Sequence, residues 1–467
     1  MRLTPLILAV ALFMDNMDAT VIATSLAAIA DDIGSDPIAL KLAFTAYLVA
    51  LAIFIPISSW MADRFGSRRV FRCAMAVFVL GSIACAFSNS LTTFVLSRFL
   101  QGMGGAMMTP VARLVLVRAT PRSELVTAMA WLTIPGLIGP IVGPPVGGFL
   151  TTYLSWHWIF LINVPIGIVG IWLVGRFLPE TKRNAPRRID FKGFFLAGPA
   201  FATFAFGMSV ITLPALPPIV GVLCTILGLV LAAIYVRHAL STDNPLLDLR
   251  LLRFPMFRTA VVGGTFFRLG QGATPFLLPL LLQLAFGMTA FQSGLVTFTS
   301  AVGAIIAKFI ATWMFESYSF RSLLAASTGF TALGIAVTAL YDVNTATALI
   351  VGILVLSGFA QSVFWTGSVA FTFADIDDKD SGQANVIAQV WQQLMMAMGV
   401  AVGGGILEGS HMLRGGELDL FDFRVAFVAT GLICAIATVL FLRLPANAGY
   451  QLSRRSIEHA AETSELI

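Results

Sequence analysis

Fourteen stretches of this chain, each about as long as a membrane-crossing helix, run almost free of charge. They start near Leu6, Ile38, Val70, Leu91, Leu125, Trp158, Gly193, Leu216, Thr259, Phe291, Leu323, Thr345, Gln383 and Val425. A hydrocarbon core about 30 Å thick takes roughly 20 residues of helix. Backbone groups in lipid must bond internally, and these long runs lack the alternation of barrel strands, so helices are the structure that fits. Composition agrees: 58% of the 467 residues are hydrophobic and 11% are charged, against about 25% charge in an average soluble domain. Such a chain cannot cover a water-facing surface with polar groups, which excludes soluble enzymes and nucleic-acid-binding domains. There is no G-x-x-x-x-G-K-[ST] loop for ATP and no H-E-x-x-H pair for zinc, and His157, His238, His411 and His459 stand far apart. No cofactor or metal is expected. Cys73, Cys85, Cys224 and Cys434 fall inside apolar stretches, so no disulfide framework is implied. Arg2 followed by Leu6 to Phe13 resembles a signal peptide, but Asp15 and Asp18 interrupt it and no cleavage site follows. It reads as a retained first span.

The segments between the stretches sort by charge. Alternate ones carry Arg64, Arg68, Arg69 and Arg72; Arg118 and Arg122; Lys182, Arg183, Arg187, Arg188 and Lys192; Arg250, Arg253 and Arg258; and Arg454 and Arg455. The others hold only Lys41, Arg414 and Arg424, and are acidic through Asp31, Asp32, Asp36, Glu417, Asp419 and Asp422. Positive charge marks the cytoplasmic side, so both termini are expected inside. A short repeat supports an internal duplication. Ser59 to Arg68 after the second stretch and Thr312 to Arg321 after the tenth share Trp, Met, an acid, an aromatic and Arg at equal spacing. The competing account is a basic turn and nothing more. Duplication with a parallel repeat is a transporter architecture.

Several motifs in order along the chain resemble one family. Met17-Asp18-Ala19-Thr20 is similar to L-D-x-T of a first helix, and Asp63-Arg64-Phe65-Gly66-Ser67-Arg68-Arg69 to the turn D-R-x-G-R-R. Arg98-Phe99-Leu100-Gln101-Gly102-Met103-Gly104-Gly105-Ala106 is similar to R-x-x-Q-G-x-G-x-A of helix four, and Gly139-Pro140-Ile141-Val142-Gly143-Pro144 to G-P-x-x-G of helix five. Trp156-His157-Trp158-Ile159-Phe160-Leu161-Ile162-Asn163-Val164-Pro165 is similar to W-x-W-I-F-x-I-N-x-P at helix six. Together they resemble the fourteen-helix drug:proton antiporters of the major facilitator superfamily (EmrB/QacA type, MdtD-like branch). Three departures stand out: Ser58-Ser59 where the turn usually opens with Gly, Ala23 and Ala27 where the first-helix motif continues with Asn and Pro, and Asp15 where Gln is usual.

The resemblance implies an all-α membrane protein of the major facilitator fold, two six-helix bundles with two helices inserted between them. The expected bounds are 1–178 for the first bundle, 179–256 for linkers and the inserted pair, 257–445 for the second bundle and 446–467 for a cytoplasmic tail. It further implies a bacterial inner-membrane exporter of small amphiphilic compounds in exchange for protons, and no enzyme. A periplasmic adaptor and an outer-membrane channel are conceivable partners; nucleic acid is not. Export of an endogenous metabolite, lipid-like molecule or organic acid on the same fold stays open, as does a sensor that binds without transport.

A charge at mid-bilayer costs about 2.5–3.5 kcal/mol, so charges inside the stretches are functional candidates. Asp15 and Asp18 lie three apart on one helix face and are expected to titrate as a coupled pair, with Arg98 tuning them. The competing account makes them structural pairs of Arg98 and Arg268. By resemblance, the first, fourth, ninth and twelfth helices line a cavity and offer Gln101, Arg268, Gln271, Gln361, Phe364 and Trp365. Arg98 and Arg268 there favour an anionic cargo and the aspartates a cationic one. Lys308 reads as a residue snorkelling to the interface. Asp63, Arg64, Gly66, Arg68 and Arg69 would form a conformational latch, with Arg113 as partner. Gly136, Gly139, Pro140, Gly143, Pro144 and Gly147 would form a kinked, close-packed helix five at the interface between halves, a device that Gly399 and Gly403 repeat.

Overall fold

The computed structural model describes residues 3–121, 124–178, 189–213, 216–377, 379–415 and 418–445. The predicted positions Arg2, Arg122, Lys182, Arg183, Arg187, Arg188, Glu417, Arg454 and Arg455, and the tail, lie outside them. The first six helices are α1 (Leu3–Val21, carried on by a 3-10 turn at Ile22–Ser25 and by Leu26–Asp32), α2 (Lys41–Phe65), α3 (Ser67–Ala86), α4 (Leu91–Ala119), α5 (Leu125–Tyr153) and α6 (Trp158–Leu161, then Asn163–Phe177). An inserted pair follows, α7 (Phe191–Val210) and α8 (Pro218–Ser241). The last six are α9 (Thr265–Leu280), α10 (Ala290–Ser317), α11 (Phe320–Val337), α12 (Thr347–Phe373), α13 (Ser381–Arg414) and α14 (Leu420–Leu442).

Thirteen of these, among the described residues, are long and apolar enough to cross a membrane. The exception is α9, flanked by π-helical turns at Thr259–Gly263 and Leu281–Ala285, which complete its span. Side chains start several helices by bonding their first free amides. Ser90 with Thr93, Thr289 with Gln292 and Asp419 with Asp422 form reciprocal caps on α4, α10 and α14. Gly66 ends α2 at φ 91°, a left-handed conformation that L side chains rarely adopt, so α3 can begin one residue later.

The halves pack alike. In the first, α1 lies on α5 and α4 lies between α2 and α3; in the second, α9 lies on α13 and α12 lies between α10 and α11. The repeated turn carries the same ring pair in both halves. Trp60 meets Phe65 edge to face at 5.9 Å and 88°, and Trp313 meets Tyr318 at 6.0 Å and 86°.

The halves join at the end of the bundle that carries Asp31, Asp32 and Asp36, here the acidic end. Gln283 Nε2 donates to the Thr24 carbonyl at 3.1 Å, and Phe291 N donates to Thr152 Oγ1 at 3.0 Å. Gly148 of α5 meets the Ala290 backbone, and Gly294 of α10 meets the Pro144 carbonyl, so close that a Cβ at either position would collide. The opposite end holds Arg64, Arg68 and Arg69; it is the basic end.

The inserted pair is held as a hairpin. Asp190 caps α7 by accepting from Gly193 N at 2.8 Å and pairs with His238 of α8 at 2.8 Å. Helix α7 packs on both α2 and α13, whereas α8 leans on α7 and leaves Ile219, Leu223 and Leu229 exposed. Two charge placements differ from the sequence expectation. Lys41 is not in a loop but is the fully buried first residue of α2, and Asp422 and Arg424 lie within α14. A charge at the edge of an apolar stretch reads as loop in one dimension, although tertiary packing covers it.

Candidate functional site

The polar residues of the first helix point into two different surroundings. Asp18 is wholly buried between α1, α3, α4 and α6. Arg98 Nη1 meets its Oδ2 at 2.6 Å, while Gln101 Nε2 and Asn163 Nδ2 donate to its Oδ1 at 2.7 and 2.9 Å. Gln101 and Asn163 also reach Ser82 Oγ, at 2.7 and 3.3 Å, and Arg98 donates to Gln101 Oε1. The guanidinium sits 4.3 Å from the Tyr47 ring centroid. A buried ion pair withstands loss of water only where further hydrogen bonds support it, and this one is supported from α3, α4 and α6, with Arg98 Nε and Asn163 Oδ1 left without a partner. Gly81 makes the closeness feasible: a Cβ there would lie 2.6 Å from Gln101 Cα.

Asp15, one turn earlier, faces a cavity of about 580 Å³. Tyr47 Oη donates to its Oδ1 at 2.7 Å. Across the helix interface, Gly105 leaves room for this carboxylate, since a Cβ would stand 2.5 Å from Oδ1. The cavity also receives Arg113 from α4 and Arg268 from α9. Neither has an acidic partner within 4 Å among the described residues. Arg268 is 3% exposed; its Nη1 donates to the carbonyls of Ala260 and Val261 at 3.1 and 3.3 Å, and its Nε has no partner. Those carbonyls belong to the π-turn before α9, whose wider winding leaves them outside the regular α-helical ladder. Trp365 flanks the guanidinium at 5.6 Å, and Asn385, Gln389, Gln392 and Gln393 line the cavity from the first half of α13.

The lining residues lie near the middle of their helices or in the half nearer the basic end, so the cavity opens there and is closed at the acidic end.

The family described as the Major Facilitator Superfamily matches residues 8–236 and 260–463. This chain belongs to it. It is 33% identical over 458 residues to MdtD of Salmonella heidelberg (strain SL476), which bears the name of a multidrug resistance protein, with 94% of each chain covered. MdtD of Citrobacter koseri is 33% identical over 454 residues, again with 94% of each chain covered. Among solved structures the fold matches a D-xylose-proton symporter with TM-score 0.70, at 14% identity, over 95% of this chain and 98% of that one. A peptide transporter of the POT type matches with TM-score 0.70, at 13% identity, over 94% and 93%. The chain is thus a multi-pass membrane transporter.

The structure brings some of the residues singled out in the sequence to the cavity and places others elsewhere. Asp15, Arg268, Trp365 and Gly136 line the cavity. Gln101 does not; it is buried in the Asp18 network. Gln271 and Gln361 bond each other at 3.1 Å, one turn nearer the acidic end than Arg268 and Trp365. Phe364 is fully buried, stacked on Phe267 at 3.7 Å, because the second half needs its bulk for a core. Lys308 is exposed and donates to Thr366 at 2.9 Å.

In the turn motif, Asp63 pairs with Arg118 at 2.6 Å, not with Arg113, which lies in the cavity wall. Arg68 donates to the Gly175 carbonyl, while Arg64 and Arg69 flank an apolar cleft beside Cys73. The helix-five motif is divided. Gly139, Gly143 and Gly147 let α5 close on α1 within the first half, with a Cβ at Gly139 lying 2.8 Å from the Phe13 carbonyl. The stretch Pro144 to Gly148, following Pro140, meets α10 of the other half. Gly399 and Gly403 repeat the first device between α13 and α9.

Tyr47, Ser82, Asn163 and Arg118 were not singled out by sequence. Only Asn163 had a signal, its place in the helix-six motif. The amides of α13 had one too: polar residues at 385, 389, 392 and 393 in an apolar helix follow the i, i+4 spacing of one face.

Proposed function

We propose that this transporter exchanges protons for small amphiphilic compounds carrying an acidic group, exporting them by alternating access. The observation that carries this reading is the charge in the cavity: one carboxylate, Asp15, against two guanidinium groups without acidic partners, one from each half. Arg98 and Asp18 neutralise each other elsewhere, so they no longer weigh on cargo choice. A carboxylate between Arg113 and Arg268 gains charge-assisted hydrogen bonds on both sides and draws the halves together. Apolar wall residues such as Leu12, Ile55 and Trp365 suit the rest of an amphiphile. The name of the MdtD relatives supports drug-like cargo.

In this scheme Asp15 carries the proton, because it alone of the two acids reaches the cavity, and Asp18 with Arg98 fixes the frame around it. Asp63 and Arg118 hold the turn between α2 and α3, as a latch that favours one access state. The basic end faces the cytoplasm of the inner membrane, by the excess of Arg at that end, and both termini lie there. The units are 1–178, 179–256, 257–445 and 446–467, as the sequence suggests.

The test is reconstitution into vesicles with an internal pH dye, screening matched carboxylate and cationic amphiphiles. Carboxylates should drive proton flux, and Asp15→Asn should lose that flux while still binding. Flux driven only by cations would overturn the cargo assignment, and unchanged flux in Asp15→Asn would overturn the proton assignment.

A further inference from the structure

A second buried charge cluster lies at the acidic end, remote from the cavity. Lys41 opens α2 with no exposed surface, and its Nζ uses one of its three donors, on Thr212 Oγ1 at 3.0 Å. Thr212 lies two residues past the end of α7, and its Oγ1 stands 3.5 Å from where a Cβ on Gly405 of α13 would be. Gly404 gives the lysine stem its space: a Cβ there would fall 2.9 Å from Lys41 Cδ. One turn on, Glu408 is 2% exposed and its Oε2 accepts no hydrogen bond. The charged groups facing it are Lys41 of α2, Asp36 of the preceding turn and His411 of α13. One half, the inserted pair and the other half therefore meet at two opposite buried charges, neither fully satisfied and more than 4 Å apart.

We propose that Lys41, Glu408 and Thr212 form a proton-responsive gate at the acidic end, with Glu408 as a proton-binding site separate from the central cavity and α7 as the third member of the joint. When the acidic end opens, α2 and α13 part and water reaches both charges. Closing buries Glu408 again, with an Oε2 that accepts no hydrogen bond and the Lys41 ammonium more than 4 Å away, so its ionised form opposes closing. A proton taken up by Glu408 removes that buried charge, so closing becomes favourable. Acid on that side therefore holds the gate shut. The inserted helices thereby take part in gating, since α7 positions the hydroxyl that holds the ammonium while the gate is shut.

The inference rests on alternating access and not on the cargo. Its test therefore uses no substrate, and failure of the cargo assignment would be seen in proton flux instead. Spin labels at Leu154→Cys and Val343→Cys, both exposed at the acidic end on opposite halves, would follow in nanodiscs, after replacement of the native cysteines. The open fraction, read as the longer distance, should fall about tenfold between about pH 8 and about pH 5. Glu408→Gln should be closed at every pH. The pair Lys41→Met with Glu408→Leu, which replaces both charges by apolar groups, should be closed at every pH, and it decides the matter if Glu408→Gln does not fold. The titration repeated in Asp15→Asn should keep its response. A wild-type response surviving in Glu408→Gln or in the apolar pair, or one lost in Asp15→Asn, would overturn the proposal.

Discussion

In the first half, Asp18 receives hydrogen bonds from three side chains and Arg98 answers its charge, whereas the second half buries Arg268 on backbone carbonyls with no acid beside it. The buried pair lies near the middle of α1 and α4, and Arg268 lies in α9, the counterpart of α1 in the second half. The first site has its acid and its arginine answering each other and so offers a ligand no net charge, although Arg98 Nε and Asn163 Oδ1 have no hydrogen-bond partner. The other is satisfied by dipoles alone and retains charge for whatever enters the cavity. A pair of halves with the same helices can thus divide the work, one holding its charge for architecture and the other for recognition.

The contrast is sharpest in substitutions of the two arginines. Arg98→Ala leaves Asp18 as an unpaired buried charge and should cost about 3–5 kcal/mol of stability, read as loss of monodisperse protein or a large fall in Tm. Arg268→Ala removes a cation that has no acidic partner, so Tm should hold or rise, while kcat/KM for a carboxylate cargo falls about 10- to 100-fold, the worth of a charged hydrogen bond. Equal destabilisation by both would break the comparison. Gly105→Ala presses a methyl group on Asp15, a strain of about 1–3 kcal/mol, and should lower coupled proton flux about tenfold in vesicles while the Asp18 network stays intact. The smallest effect concerns the duplicated turns. Asp63 has Arg118, while Glu316 at the matching place has no ion-pair partner among the described residues. Asp63→Asn should shift the ratio of access states up to about fivefold, the worth of a half-exposed pair, and Glu316→Gln should not, as read by distance measurements across the basic end.

Most of the scaffold was legible in the sequence because lipid leaves few options: apolar length fixes the spans, and charge marks their ends. The site was legible only in part. The i, i+3 spacing of Asp15 and Asp18 puts them on one face, yet one turn of helix separates a packed interior from an open cavity, and no periodicity records that boundary. Motif position pairs Arg113 with Asp63, while Arg118, five residues on, takes that place; a long side chain near a helix end reaches several neighbours, and only the fold chooses. Phe364 belongs to the core because, in a chain with 38 Phe, aromatic character does not distinguish wall from interior. The π-turns of α9 leave no periodic signature in the sequence, although they supply the carbonyls that hold Arg268.

Both hydrogen bonds that join the halves among the described residues, at Thr24 with Gln283 and at Thr152 with Phe291, lie at the acidic end. While the acidic end is shut, they act mechanically as the pivot of a pair of tongs whose jaws are the basic ends. Over an arm of about 30 Å, the thickness of the hydrocarbon core, a rocking of about 10° carries the jaw tips through about 5 Å. Small adjustments of glycine-lined contacts at the pivot, each well under the width of a side chain, therefore suffice to close the mouth of the cavity around its cargo.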